Sequence, residues 1–211
     1  MQIHLEEHNV EWKEEFNVIK EELKEALRNT PFLSIEHVGS TSIKGLCAKA
    51  VIDIDIIVEK EENIEKVRKD LSLVGYTDLG DMGIHGRYAL RQPGFGKDDP
   101  ATGEKAKINT GTPLNMRRNT YVMTKDCLQL KNHLDTKRIL EQDENLRQEY
   151  TQVKRILASK QVANIGEYAN GKSLILEKVL TKAGWTKDDF YEMRHGTRPC
   201  SSTLEDVGEK N

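Results

Sequence analysis

The octapeptide Val51-Ile52-Asp53-Ile54-Asp55-Ile56-Ile57-Val58 constrains this chain more than any other stretch. Six of its eight residues are Val or Ile, whose branching at Cβ disfavours helix and suits an extended backbone. Side chains alternate between the faces of a strand, so Ile52, Ile54, Ile56 and Val58 share one face, and Val51, Asp53, Asp55 and Ile57 share the other. Asp-x-Asp can be merely the wet face of an edge strand. Here it stands among four isoleucines that mark burial on at least one face, where a carboxylate is costly unless paired or metal-bound. The octapeptide therefore predicts a sheet holding two carboxylates side by side, roughly 7 Å apart at the backbone.

The flanking sequence supplies the layers. Trp12, Phe16, Ile19, Leu23 and Ala26-Leu27 recur at steps of three and four, predicting an amphipathic helix over 10–27 that ends before Pro31. Phe32–Val38 reads as a short strand, 61–73 as a helix, and Tyr76–Leu79 and His85–Arg91 as further strands. Pro93–Arg118 has little apolar periodicity and reads as a long loop or insertion, with a strand near Asn119–Met123. Helices follow over Asp126–Leu140, Glu144–Leu157 and Asn164–Leu180. The expected class is α+β: a mixed β-sheet flanked by helices, with a helical C-terminal portion. One domain over 1–185 is expected, with its site region reaching about residue 123, then a partly disordered C-terminal extension over 186–211.

Charge and cysteine content narrow the function. The chain of 211 residues has 32 Lys and Arg against 35 Asp and Glu, a formal net charge of -3. That balance disfavours nonspecific nucleic-acid or anionic-membrane binding, while leaving room for a local basic patch around a phosphate. Cys47, Cys127 and Cys200 are widely spaced and show no metal-ligand pattern, which suits a reducing compartment. With no signal-peptide pattern and no long apolar run, a soluble cytoplasmic protein is expected.

The strongest constellation is Gly39-Ser40, then 12 residues, then Asp53-Ile54-Asp55. A glycine at the end of a strand lets the backbone approach a ligand closely, and backbone N–H groups with the Ser40 hydroxyl can receive phosphate oxygens. Two carboxylates supply hard oxygen ligands for divalent ions spaced about 4 Å apart. Together they suggest a phosphate-bearing ligand held through a divalent ion, Mg2+ or Mn2+.

His37-Val38-Gly39-Ser40-Thr41, Gly45-Leu46-Cys47-Ala48-Lys49 and Ile52-Asp53-Ile54-Asp55 resemble the GrpB family, a branch of the nucleotidyltransferase superfamily. The likeness continues looser through Gly83–Tyr88 and Leu146–Lys154, and runs from about residue 8 to 184. It implies a nucleotidyltransferase-like fold that carries the Gly39-Ser40 turn and a catalytic, metal-binding pair, Asp53 and Asp55. Gly39, Ser40 and Thr41 are the expected nucleotide-binding residues, with Lys49, which lies between the turn and the Asp strand, and Arg87 as basic residues placed nearest the phosphates. The implied reaction is transfer of a nucleoside monophosphate from a nucleoside triphosphate to an unknown acceptor. Two departures stand out: Asn119-Thr120-Tyr121 lies where the family often has His-Leu-His, and no acidic residue offers an obvious third metal ligand. A catalytically silent nucleotide-binding module is therefore the alternative.

Lys44 and Arg91 are further candidate cations, with ordinary surface roles as the simpler reading. His37 and His85 read as structural histidines. Gly166–Ser173 matches the phosphate-binding P-loop pattern letter for letter, which raises a P-loop kinase as a remote alternative. The pattern needs a preceding strand, and Gln161–Ile165 is a poor one. Only 38 residues follow Ser173, too few for the rest of a P-loop fold.

Overall fold

In the computed structural model, which describes residues 1–96 and 116–195, Val51–Val58 forms strand β2, with a neighbour on each side. Strand β1 (Ser34–Val38) pairs with it antiparallel, and β5 (Arg117–Thr124) pairs with it parallel along its whole length. Beyond β5 come β4 (Tyr88–Arg91) and β3 (Thr77–Asp78), both antiparallel, giving the order β1-β2-β5-β4-β3. The Asp-x-Asp strand is thus interior, which removes the edge-strand reading.

Helices α1 (Glu11–Ala26) and α2 (Glu61–Leu73) cover one face of the sheet. Trp12, Phe16, Ile19 and Leu23 of α1, with Ile64, Val67 and Leu71 of α2, pack on Ile52, Ile54, Ile56 and Val58 in one apolar cluster. Each such side chain contributes about 1.5–3 kcal/mol by leaving water. The same stripe that predicts the helix from sequence is the stripe it buries.

Helix α3 (Leu128–Gln142) covers the opposite face, where its Leu130 packs on Ile57 and Met123. Helices α4 (Glu144–Ala158) and α6 (Ser173–Lys182) pack against α3 and against Ile43 and Leu46 of the turn after β1. The expected class, a mixed sheet flanked by helices with a helical C-terminal portion, is the observed one.

Differences from the sequence reading are local. The helix expected over 164–180 breaks into α5 (Ile165–Asn170) and α6 around Gly171-Lys172. At Gly171 a Cβ would stand 2.5 Å from Leu157 of α4, so the glycine lets this corner close on its neighbour. His85, expected to open a strand, lies in the turn before β4. A last helix, α7 (Lys187–His195), seats Phe190 against Trp185 and Leu180. Most of the Pro93–Arg118 loop and of the C-terminal tail, with Cys200, lies outside the described residues.

Candidate functional site

Where β1 ends, Gly39 turns the chain with φ 69°, and a short 3-10 turn spans Ser40–Ser42. This φ is open to glycine and strained for other residues. Space is a second constraint: a Cβ on Gly39 would stand 2.2 Å from Oδ2 of Asp53. The Gly-Ser turn therefore lies directly on the first carboxylate of β2, as the sequence constellation requires. Internal hydrogen bonds hold it. Ser42 Oγ donates to the Gly39 carbonyl (2.7 Å), and Thr41 Oγ1 donates to the Val51 carbonyl (3.2 Å). Lys137 of α3 reaches across to donate to the His37 carbonyl (3.0 Å).

Thr41 is buried, and its hydroxyl also meets His37 Nε2 at 3.0 Å. His37 stacks on Phe16, ring centroids 4.7 Å apart. Burial, with Lys137 nearby, pushes its imidazole down to about 4, so it stays neutral at neutral pH. The structural reading of His37 fits this packing.

The two carboxylates have different surroundings. Asp53 is half-buried and accepts a hydrogen bond from Asn119 Nδ2 (2.8 Å), its partner across the β2–β5 register. Asp55 is fully buried; its Oδ2 lies 2.8 Å from His133 Nδ1 of α3, while its Oδ1 has no partner among the described residues. Burial raises the Asp55 carboxyl, opposed by His133 and, more weakly, by Arg87. Arg87 stands over the Tyr121 ring at 4.5 Å, and its buried Nε also lacks a described partner. Asp53, Asp55, Gly39 and Arg87 thus come together, whereas Lys44 and His85 are exposed.

Lys49 approaches from the other side. It is half-buried, stands 5.5 Å from the Tyr168 ring centroid, and lies within electrostatic reach of Asp53. Burial first, then Lys172, push its ammonium down to about 8.

A divalent ion suits this donor set in part: two adjacent carboxylates of hard oxygens, one with an orphaned buried oxygen. Register also sets Glu36 of β1 opposite Asp55. Among the described residues, however, no group of three or more His, Cys, Asp or Glu is arranged to hold a metal. Two carboxylates leave most of the coordination of such an ion to be supplied from outside these side chains.

Sequence reasoning missed His133, Lys137 and the role of Asn119. The first two carry a usable signal: Leu130, His133, Lys137 and Leu140 follow at steps of three, four and three, so two polar residues ride the apolar stripe of α3. Asn119 carries none, because only the β2–β5 register brings it to Asp53. The P-loop pattern is accounted for differently. Gly166–Ser173 runs through α5, a corner and the start of α6, preceded by α4 rather than by a strand.

Residues 2–182 match the profile of the GrpB protein family. The chain belongs to the GrpB family. Among its relatives, the UPF0157 protein BH1888 of Halalkalibacterium halodurans is 29% identical over 87% of this chain and 84% of its own length. YqkA of Bacillus subtilis is 28% identical over 78% of this chain, which spans 42% of that longer protein. The crystal structure of the conserved protein GrpB from Enterococcus faecalis superposes with a TM-score of 0.66 at 25% identity, covering 86% of this chain and all of that one. A chain of the Cid1 poly(U) polymerase overlaps 74% of this GrpB protein and 45% of its own length, with a TM-score of 0.45 and 12% identity, too slight a likeness to bear on chemistry. Among the described residues, no helix is long and apolar enough to cross a membrane.

Proposed function

We propose that this GrpB protein binds a nucleoside triphosphate through Mg2+ or Mn2+ and transfers its nucleoside monophosphate to an acceptor. The observation that carries the reading is the contact of the Gly39 turn with the Asp53 carboxylate, which leaves no room for a Cβ. Asp53 and Asp55 would hold the metal. The backbone N–H groups of Ser40 and Thr41, with the Ser40 hydroxyl, would receive phosphate oxygens. The buried Thr41 hydroxyl keeps the turn in place through Val51, and Arg87 places a positive charge near Asp55. When bound, the metal supplies charge stabilisation at the transferring phosphoryl group and the departing pyrophosphate. His133 and Asn119 would orient the carboxylates.

Calorimetry of the purified protein with ATP, CTP, GTP and UTP, with and without Mg2+ or Mn2+, tests the reading. Metal-dependent binding of at least one nucleotide is expected, reduced at least tenfold in Asp53→Asn, since losing a charged ligand costs about 1.5 kcal/mol or more. Metal-independent binding, or none, contradicts it.

A second reading is favoured by one observation: beside Asp53 stands the neutral Asn119 amide rather than a third carboxylate. In that case the protein is a silent nucleotide-binding module. Binding lost in Asp53→Asn, with no pyrophosphate release by the wild type with any acceptor, selects it.

A further inference from the structure

Three lysines gather on the Asp53 side of the molecule, and only one belongs to the constellation read from sequence. Lys49 follows the Gly-Ser turn, Lys154 lies on α4, and Lys172 sits at the corner between α5 and α6. The Nζ atoms of Lys49 and Lys172 stand 5.5 and 4.8 Å from the centroid of the same Tyr168 ring, so one aromatic plate carries both. Lys154 is the most deeply buried of the three. Its side chain is 2% exposed, its ammonium donates to the carbonyl of Cys47, two residues before Lys49, and it stands 5.2 Å from the Tyr150 ring.

Among the described residues, no carboxylate forms an ion pair with Lys154 or Lys172. A buried ammonium held by a single carbonyl is costly, and neighbouring ammonium groups add repulsion. Burial first, with Lys172 and Lys49 acting the same way and Cys47 and Asp53 opposing them, brings the Lys154 ammonium down to about 7. Grouped cations of this kind are relieved by a ligand carrying several negative charges.

We propose that Lys49, Lys154 and Lys172 form a cationic subsite beside Asp53 that takes the terminal phosphates of a polyphosphate chain. Lys49 and Lys172, both half-buried, contact the phosphates, and the buried Lys154 adds charge behind its Cys47 contact. Lys172 of the P-loop-like motif then meets phosphate from a helix-turn-helix corner rather than from a P-loop. The location of the chain's other end, at Asp53, rests on the nucleotide reading above; the contact with phosphate does not require transfer.

The polyphosphate can come from a nucleotide or be inorganic, and calorimetry on the full chain separates the two. Inorganic tripolyphosphate is titrated into the wild type, into Lys172→Ala and into Lys154→Met, which preserves the length of the buried side chain. Each nucleoside triphosphate with Mg2+ is titrated in parallel, and a nucleoside monophosphate serves as control. The subsite predicts that tripolyphosphate binds the wild type and weakens about tenfold in Lys172→Ala, the loss of one charged hydrogen bond, and in the same direction in Lys154→Met. It predicts unchanged monophosphate affinity. Unchanged tripolyphosphate affinity in a Lys172→Ala protein with wild-type circular dichroism overturns the subsite, as does a wild type that does not bind tripolyphosphate. Tripolyphosphate binding that weakens in the variants, with no nucleoside triphosphate bound, upholds the subsite and removes the nucleotide reading. A nucleoside triphosphate bound equally by all three proteins does the reverse.

Discussion

At the scale of single residues, period-two alternation in a strand finds Asp53 and Asp55, and the Gly39 turn that meets them is found by its motif. What the sequence hides is how unequal the carboxylates are. Asp55 is sealed under α3 and shares one oxygen with His133, 78 residues away, while Asp53 stays half-open beneath the turn. His37 shows the same limit, since its neighbours Phe16, Thr41 and Lys137 come from three separate elements. Its depressed imidazole makes a prediction. Between pH 6.5 and about 4 the unfolded chain takes up this proton before the folded one, so His37 stabilises the fold fully above 6.5 and progressively less as pH falls through that window. Urea midpoints measured from pH 7 to 4 are expected to decline less steeply in His37→Gln than in the wild type. Equal slopes contradict a buried neutral His37.

Among the elements, helices and strands are placed by apolar stripes, and the sequence reading fails where backbone packing decides. A continuous helix over 164–180 satisfies periodicity, but the chain turns a corner at Gly171, where the Leu157 side chain of α4 occupies the space a Cβ would take. Gly171→Ala crowds Leu157 and is expected to cost about 1–2 kcal/mol in urea unfolding, as overpacking does. In Leu157→Ala the space is open, so the same glycine change becomes neutral or slightly stabilising by its better helix propensity. Additive effects in the double variant contradict the packing account of this glycine. Its place in a P-loop-like pattern is then coincidence of letters, leaving only Lys172 with a proposed ligand.

For the whole molecule, the parallel β2–β5 pair decides what meets what. It carries Asn119 to Asp53 and sets Tyr121, with Arg87 over its ring, opposite Asp55, contacts that span up to 66 residues of chain. The class and the carboxylate pair were legible because both follow from local periodicity. The strand order and the covering of the Asp face by α3 were not, because they depend on long-range pairing that a stripe does not encode. The sheet presents a half-open carboxylate between a glycine turn and a group of lysines, and the central claim is that metal and nucleotide meet there. Anomalous diffraction from crystals soaked with Mn2+ and a non-hydrolysable nucleoside triphosphate tests it most directly. The account predicts manganese density on Asp53 and Asp55, with the triphosphate running from the Gly39 turn toward Lys49. Nucleotide bound elsewhere, or density for neither ligand at the aspartates, contradicts it.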